Sequence, residues 1–210
     1  AAAAVTERLV VGTGIALLAQ RDPIVTAKAV ASLDHLSGGR FVLGVGFGWN
    51  REEMADHGVE YRRRREVTAD RVAVMKALWA EEPTGFTGEY ASVEPSFAHP
   101  KPVQRPHPPI LLGGGGGPKL FDAIARYGDG WMPIGGAGVR EALPRLHEAV
   151  ERVGRDPAEL SIIPFGVLPD PGKIAYYEEI GFDEVVVRIP PEPADVVLPL
   201  LDGYASELSL

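Results

Sequence analysis

Cysteine is absent from the 210 residues, and there are only three methionines, three tryptophans and five histidines. Without thiols the chain has no disulfides, no thiolate nucleophile and no cysteine metal ligands, and cysteine usage says nothing of its redox compartment. The histidines are scattered, with no H-E-x-x-H pair, so no metal site is expected. Basic residues are outnumbered, 21 Lys and Arg against 29 Asp and Glu, for a formal net charge of -8. That balance argues against a nucleic-acid or anionic-membrane surface, which needs clustered cations. No apolar run is long enough to cross a bilayer, and the Ala1 to Ala4 start lacks a charged region ahead of a long apolar core. A cytoplasmic location is therefore the expectation. No nucleophile elbow is present, so no Ser-His-Asp arrangement is suggested.

What the chain does have is apolar content, 45% of residues, with 25 glycines and 19 prolines as punctuation. Short runs rich in β-branched residues alternate with amphipathic stretches, the rhythm of βα units around a parallel sheet. Six strands are expected, at 8–16, 41–46, 109–112, 130–134, 160–168 and 184–189. Helices are expected at about 23–36, 62–80, 139–153, 172–180 and 194–208, with a further one opening at Pro118. Residues 82–108, rich in Pro, Gly and aromatics, are too long for a simple connection and read as a surface excursion with a small hairpin near Phe86 to Val93. No Pro/Ser-rich linker divides the chain, so residues 1–210 read as one α/β domain.

The most telling stretch is Pro109 to Leu112 running into Gly113, Gly114, Gly115, Gly116 and Gly117, then Pro118. Glycine amides can approach an anion closely, and the helix that follows offers its positive end, so a phosphate cradle is expected here. A flexible loop without ligand is the alternative. Neither a Walker A loop nor a dinucleotide fingerprint fits, because Pro118-Lys119-Leu120 stands where Gly-Lys-Ser/Thr would be and the Gly44, Gly46, Gly48 spacing is wrong.

Three segments in order, SLDHLSGGRFVLGVGFGWNREE, QRPHPPILLGGGGGP and ARYGDGWMP, resemble the bacterial luciferase-like superfamily of flavin- or deazaflavin-dependent oxidoreductases. The similarity is nearest to its coenzyme F420 branch and covers nearly the whole chain. It implies a (β/α)8 TIM barrel with the cofactor at the C-terminal ends of the strands. On that alignment residues 8–16 become the third barrel strand and the first two βα units are missing, along with the family's usual substrate-side histidine. Six strands cannot close an eight-strand ring, which points to a truncated chain, a shortened relative or a barrel completed by another subunit.

The resemblance assigns residues by position. The bond Gly14-Ile15 would be a non-prolyl cis peptide, with Gly14, Ile15 and Ala16 supporting the cofactor ring; an ordinary strand with a glycine bulge is the alternative. Gly46, Gly48 and Asn50 would border the cofactor, and Gly113 to Gly116 would hold its phosphate. Asn50 with Glu53 also fits a capping box that needs no ligand. Trp49 would line the pocket or serve as a buried anchor, and Trp131 would be pocket wall or core. Arg62 to Arg65 could reach a phosphate, yet a basic run at a helix start also reads as a solvated face and is left out of the site. Asp129 could be an acid or base, or fix a turn through its own backbone. His35 and His107 look structural. No proton donor is identifiable.

The expected function is hydride transfer between F420 and a small organic substrate, with a homodimer as the expected assembly. An FMN-dependent monooxygenase and a non-catalytic flavin-binding relative are the alternatives, together with an unrelated barrel enzyme acting on a phosphorylated metabolite at Gly113 to Gly117.

Overall fold

A computed structural model describes residues 1–182 and 184–208. The chain divides into two compact units, one formed by residues 1–113 and 126–129, the other by 114–125 and 130–210.

The first unit is built on β3 (Phe41–Gly46), a run with only one residue that is not buried. A strand that reads as continuous apolar sequence is one covered on both faces. Helix α1 (Ala2–Val5) precedes strands β1 (Val11–Gly12) and β2 (Ala16–Leu17), which both pair in parallel with β3 on one side. On the other side β3 pairs in parallel with β6 (Ile110–Gly113), all four of whose residues are buried. The single strand expected at 8–16 is thus two. Gly12 faces Val42 and Ala16 faces Val45, so four steps along the first strand oppose three along β3, which is a one-residue bulge.

Helix α2 (Pro23–Ser37) starts under an Asp22 cap, whose carboxylate accepts from the Val25 amide at 2.8 Å, and ends where Gly38 turns left-handed at φ 64°. Arg40 then ties down the start of the chain, donating to the carbonyl oxygens of Ala3, Thr6, Leu9 and Ser37. A short helix absent from the sequence reading, α3 (Arg51–Asp56), follows β3 directly. Next comes α4 (Arg64–Trp79), with Val67, Val72, Val74, Met75, Leu78 and Trp79 buried as its pattern requires.

The excursion contains the expected hairpin, antiparallel β4 (Thr84–Thr87) and β5 (Ser92–Ser96), pinned to α4 where the Tyr90 amide donates to Asp70 at 2.7 Å. Its return leg is gripped by Asp34 of α2, a fully buried carboxylate. Asp34 accepts from the Val103 amide at 2.7 Å, the Gln104 amide at 2.9 Å and the Gln104 side chain at 2.7 Å. Three charge-assisted bonds offset the desolvation of one carboxylate, which is why an acid can sit in this core.

In the second unit α5 (Pro118–Tyr127, its last turn counted with the first unit) precedes β7 (Gly130–Met132), which pairs in parallel with β8 (Ser161–Ile162). The strand expected at 160–168 is also two, β8 and β9 (Phe165–Val167), separated at Pro164, which has no amide to offer a ladder. Parallel β10 (Val186–Val187) pairs with β9. Helices α6 (Val139–Glu151), α7 (Pro171–Glu179) and α8 (Ala194–Glu207) complete it, near the expected limits. Its core gathers Trp131, Leu120, Phe121, Ile124, Ala142, Leu146 and Val150. Apart from the hairpin, every strand pairing described above is parallel. No helix among the described residues is long and apolar enough to cross a membrane, and no cluster of three His, Asp or Glu residues there could hold a metal.

Candidate functional site

Parallel strands end together, so the residues just past β1, β3 and β6 share one rim of the first unit. Ile15 shows this directly. Its side chain lies where a Cβ on Gly46 would be, with Cδ1 only 1.6 Å from that position, and its Cγ2 stands 3.1 Å from where a Cβ on Gly113 would be. The ends of β3 and β6 and the segment between β1 and β2 therefore converge on one isoleucine. The bond Gly14-Ile15 is cis, and Thr13 secures the segment through its Oγ1, which donates to the Gly44 carbonyl at 2.7 Å. Ile15 keeps 40% of its surface exposed, and Ala16 is half-buried in β2.

Past β3 the chain turns at Gly48, whose φ of 74° is costly for any residue with a side chain. A Cβ there would meet Met54 Cε at 2.2 Å, so Gly48 makes room for the buried methionine of α3. Asn50 caps that helix, its Oδ1 accepting from the amides of Glu52 at 3.1 Å and Glu53 at 3.2 Å. Trp49 is 84% exposed, which overturns the buried-anchor alternative. The amides of residues 47 to 50 donate to nothing among the described residues.

The basic run set aside as a solvated face is partly turned inward. Arg64 donates from Nε to the Gly48 carbonyl at 3.2 Å and from Nη1 to the Tyr61 carbonyl at 2.6 Å, with its guanidinium 3.8 Å above the Tyr61 ring. Arg65 lies 4.0 Å over the Phe47 ring. Burial, and then the neighbouring Arg64 charge, lower the Arg65 pKa below its usual value. Tyr61, directly before the run, was the available signal, because cation–π pairing gives a guanidinium a reason to fold back, whereas Phe47 is remote in sequence.

Other residues resolve as structural. Asp129 accepts from the Ile110 amide at 2.8 Å while its own amide donates to the Ile110 carbonyl at 2.7 Å. This clamps the start of β6, about 10 Å from Gly113 at some 3.3 Å per residue. The bonds of Asp129 reach across to β6 instead of fixing a local turn. His107 packs against Trp79 with ring centroids 5.7 Å apart, and burial lowers its pKa. His35 contacts the Lys101 carbonyl at 2.6 Å on the excursion.

In the second unit the glycine run continues from Gly114, where φ is 139°. The Gly114 carbonyl accepts from Trp131 Nε1 at 2.8 Å. Trp131 is 2% exposed and meets Phe121 edge-on, with centroids 5.5 Å apart, so of its two readings the structure selects core. A Cβ on Gly116 would press on Trp131, Ala142 and Phe121 within 3.0 to 3.2 Å, whereas at Gly115 and Gly117 it would meet nothing within 4 Å. The amides of residues 114 to 117 also donate to nothing among the described residues, while the Gly117 carbonyl accepts the first bonds of α5. Free amides at a helix start, with open space at Gly115 and Gly117, suit a phosphate or carboxylate.

Comparison with known proteins shows the family. The family described as luciferase-like monooxygenase matches residues 1–168. An uncharacterised protein of Mycobacterium tuberculosis is 41% identical over 210 residues, all of this chain and 74% of that one. An F420-dependent glucose-6-phosphate dehydrogenase of Kineococcus radiotolerans is 34% identical over 166 residues, 75% of this chain and 48% of the enzyme. Among solved structures, a monooxygenase from Streptomyces bottropensis superposes with a TM-score of 0.69 at 26% identity, covering 98% of this chain and 64% of that one. The chain thus spans about half to two thirds of the length of these last two relatives.

Proposed function

The chain belongs to the luciferase-like monooxygenase family, and from that premise we propose that it is an oxidoreductase binding the deazaflavin F420 for hydride exchange with a small organic substrate. The observation behind this reading is the supply of unsatisfied backbone donors, the amides of residues 47 to 50 and of residues 114 to 117, each set following a parallel strand. A run of open backbone donors just past the end of a parallel strand suits an anionic ligand. A bound deazaflavin supplies hydride acceptance and donation, chemistry that no side chain here provides.

The protein's own share is holding and shielding. Gly14, Ile15 and Ala16 would support the ring, Ile15 offering a partly exposed apolar surface. Gly46 and Gly48 shape this support by admitting Ile15 and Met54. Asn50 holds the loop through its cap, and Trp49 is free to face a substrate. Within the second unit, Gly114, Gly115 and Gly116 would take a phosphate or carboxylate, with Trp131 as their footing, and Gly113 closes β6 in the first unit.

FMN is the second reading, because monooxygenases stand among the relatives and one-electron and O₂ chemistry is within a flavin's reach. Separate titrations of the purified protein with F420 and FMN, followed by absorbance and thermal shift, test both. Occupancy at about a hundred times the dissociation constant adds roughly 2.7 kcal/mol of stability. Saturable F420 binding is the expected result, FMN binding alone would transfer the proposal to oxygen chemistry, and failure of both would end it. Binding without turnover would mark the non-catalytic relative.

A further inference from the structure

We infer that Arg64 and Arg65 are positioning residues for the amides of the 47–50 loop, Arg64 by gripping the Gly48 carbonyl and Arg65 by seating the Phe47 ring. The inference rests on the proposed cofactor reading for its consequence, but its geometry stands apart from it.

A trans peptide holds its C=O and N–H in opposite directions, and the only cis bonds among the described residues are at Gly14-Ile15, His99-Pro100 and Arg105-Pro106. The Gly48 oxygen is drawn toward the start of α4 by Arg64 Nε at 3.2 Å, so the Trp49 N–H is turned away from α4. That N–H makes no hydrogen bond among the described residues. A loop turning on glycine has little stiffness of its own. Its orientation must come from outside, and Arg64 supplies it with two donors at once, one on Gly48 and one on Tyr61. The Tyr61 ring is the rest on which this fork lies, and Arg51 approaches the same ring at 4.9 Å. One residue on, Arg65 covers Phe47, which is buried at the loop's base. Both guanidiniums also place positive charge beside amides that have no partner, which deepens the preference for an anion.

A lysine cannot reproduce the planar fork, so Arg64→Lys keeps the charge and loses the double grip. Trp49 is the natural reporter, since Trp79 and Trp131 are buried. In cofactor-free protein, time-resolved fluorescence anisotropy should show a larger nanosecond component, faster than overall tumbling, in Arg64→Lys than in the parent, because a released loop moves on the nanosecond-and-slower timescale. Its thermal midpoint should stay close to the parent's, and its affinity for F420 or FMN, each used as probe, should fall about tenfold, the loss expected for one charge-assisted hydrogen bond. Arg65→Met, which retains packing on Phe47 without charge, should show the same change in a weaker form and serves if Arg64→Lys does not fold. Unchanged Trp49 motion in both variants overturns the inference. If the parent binds neither probe, the cofactor reading falls while the anisotropy still decides the clamp.

Discussion

Two glycine-rich loops in this molecule look alike in sequence and differ in what fills the space their missing side chains leave. In the loop after β3, that space is taken by the protein itself, by Ile15 at Gly46 and by Met54 at Gly48. In the run after β6, Gly116 is likewise packed against Trp131, Ala142 and Phe121, but Gly115 and Gly117 face nothing within 4 Å. The first kind of glycine is a packing residue and the second leaves backbone open to a ligand. The distinction concerns neighbours, and composition does not reveal it.

Substitution should separate the two sharply. The largest effect is expected at Gly46→Ala, where the new methyl would coincide with Ile15 Cδ1; overpacking of this kind costs about 3 kcal/mol. Adding Ile15→Ala should return part of that loss, and additive denaturation free energies for the pair would show that the two do not share the space. Next comes Asp34→Ala, which strands the Val103 and Gln104 donors and should cost about 2 to 3 kcal/mol in urea unfolding. Gly48→Ala should cost about 1 to 2 kcal/mol through its positive φ, eased because Met54 Cε is the end of a flexible chain. Gly115→Ala marks the other pole. Its unfolding free energy should stay within about 0.5 kcal/mol of the parent. Cofactor affinity should nevertheless fall about tenfold or more, and a destabilised protein with unaltered affinity would reverse the comparison.

A pH scan adds a smaller test in the first unit. Tyr127 has a buried hydroxyl with no hydrogen-bond partner among the described residues, and burial pushes its pKa from 10.0 to about 12. A raised folded pKa keeps the proton in the native state, so this contribution is whole below pH 10.0 and is lost as pH climbs toward 12. Tyr127→Phe should flatten that alkaline decline and raise neutral stability by about 1 kcal/mol, since it removes an unsatisfied polar atom. His107 runs the other way: burial lowers its pKa, so stability falls as pH drops below 6.5.

Much of the fold was legible because β3 and β6 are apolar runs and α2 an amphipathic one, each bounded by glycine or proline, while α4 shows its apolar face through the spacing of Val67, Val72, Met75 and Trp79. The breaks were not legible. A bulge before Ala16 and a gap at Pro164 each leave the apolar run intact while dividing its pairing. Helix α3 is six residues long, too short for a period to show, and only its Asn50 cap announced it. At the candidate site, the glycine clusters could be located from spacing, but Trp131 looks the same in a pocket as in a core until its neighbours are known. Arg64 and Arg65 were hidden for the opposite reason, since charge suggests water and only Tyr61 and Phe47 beneath them explain why they turn in.

Asp34 has a consequence for how this scaffold tolerates change. It grips residues 103 and 104 a few positions ahead of Ile110, and Asp129 then secures Ile110 itself. Any lengthening or shortening around the hairpin tip is absorbed upstream of these two pegs, and the strand that delivers Gly113 is indifferent to it. A designer could graft new sequence between Thr87 and Ser92 and expect the rim to stay in register.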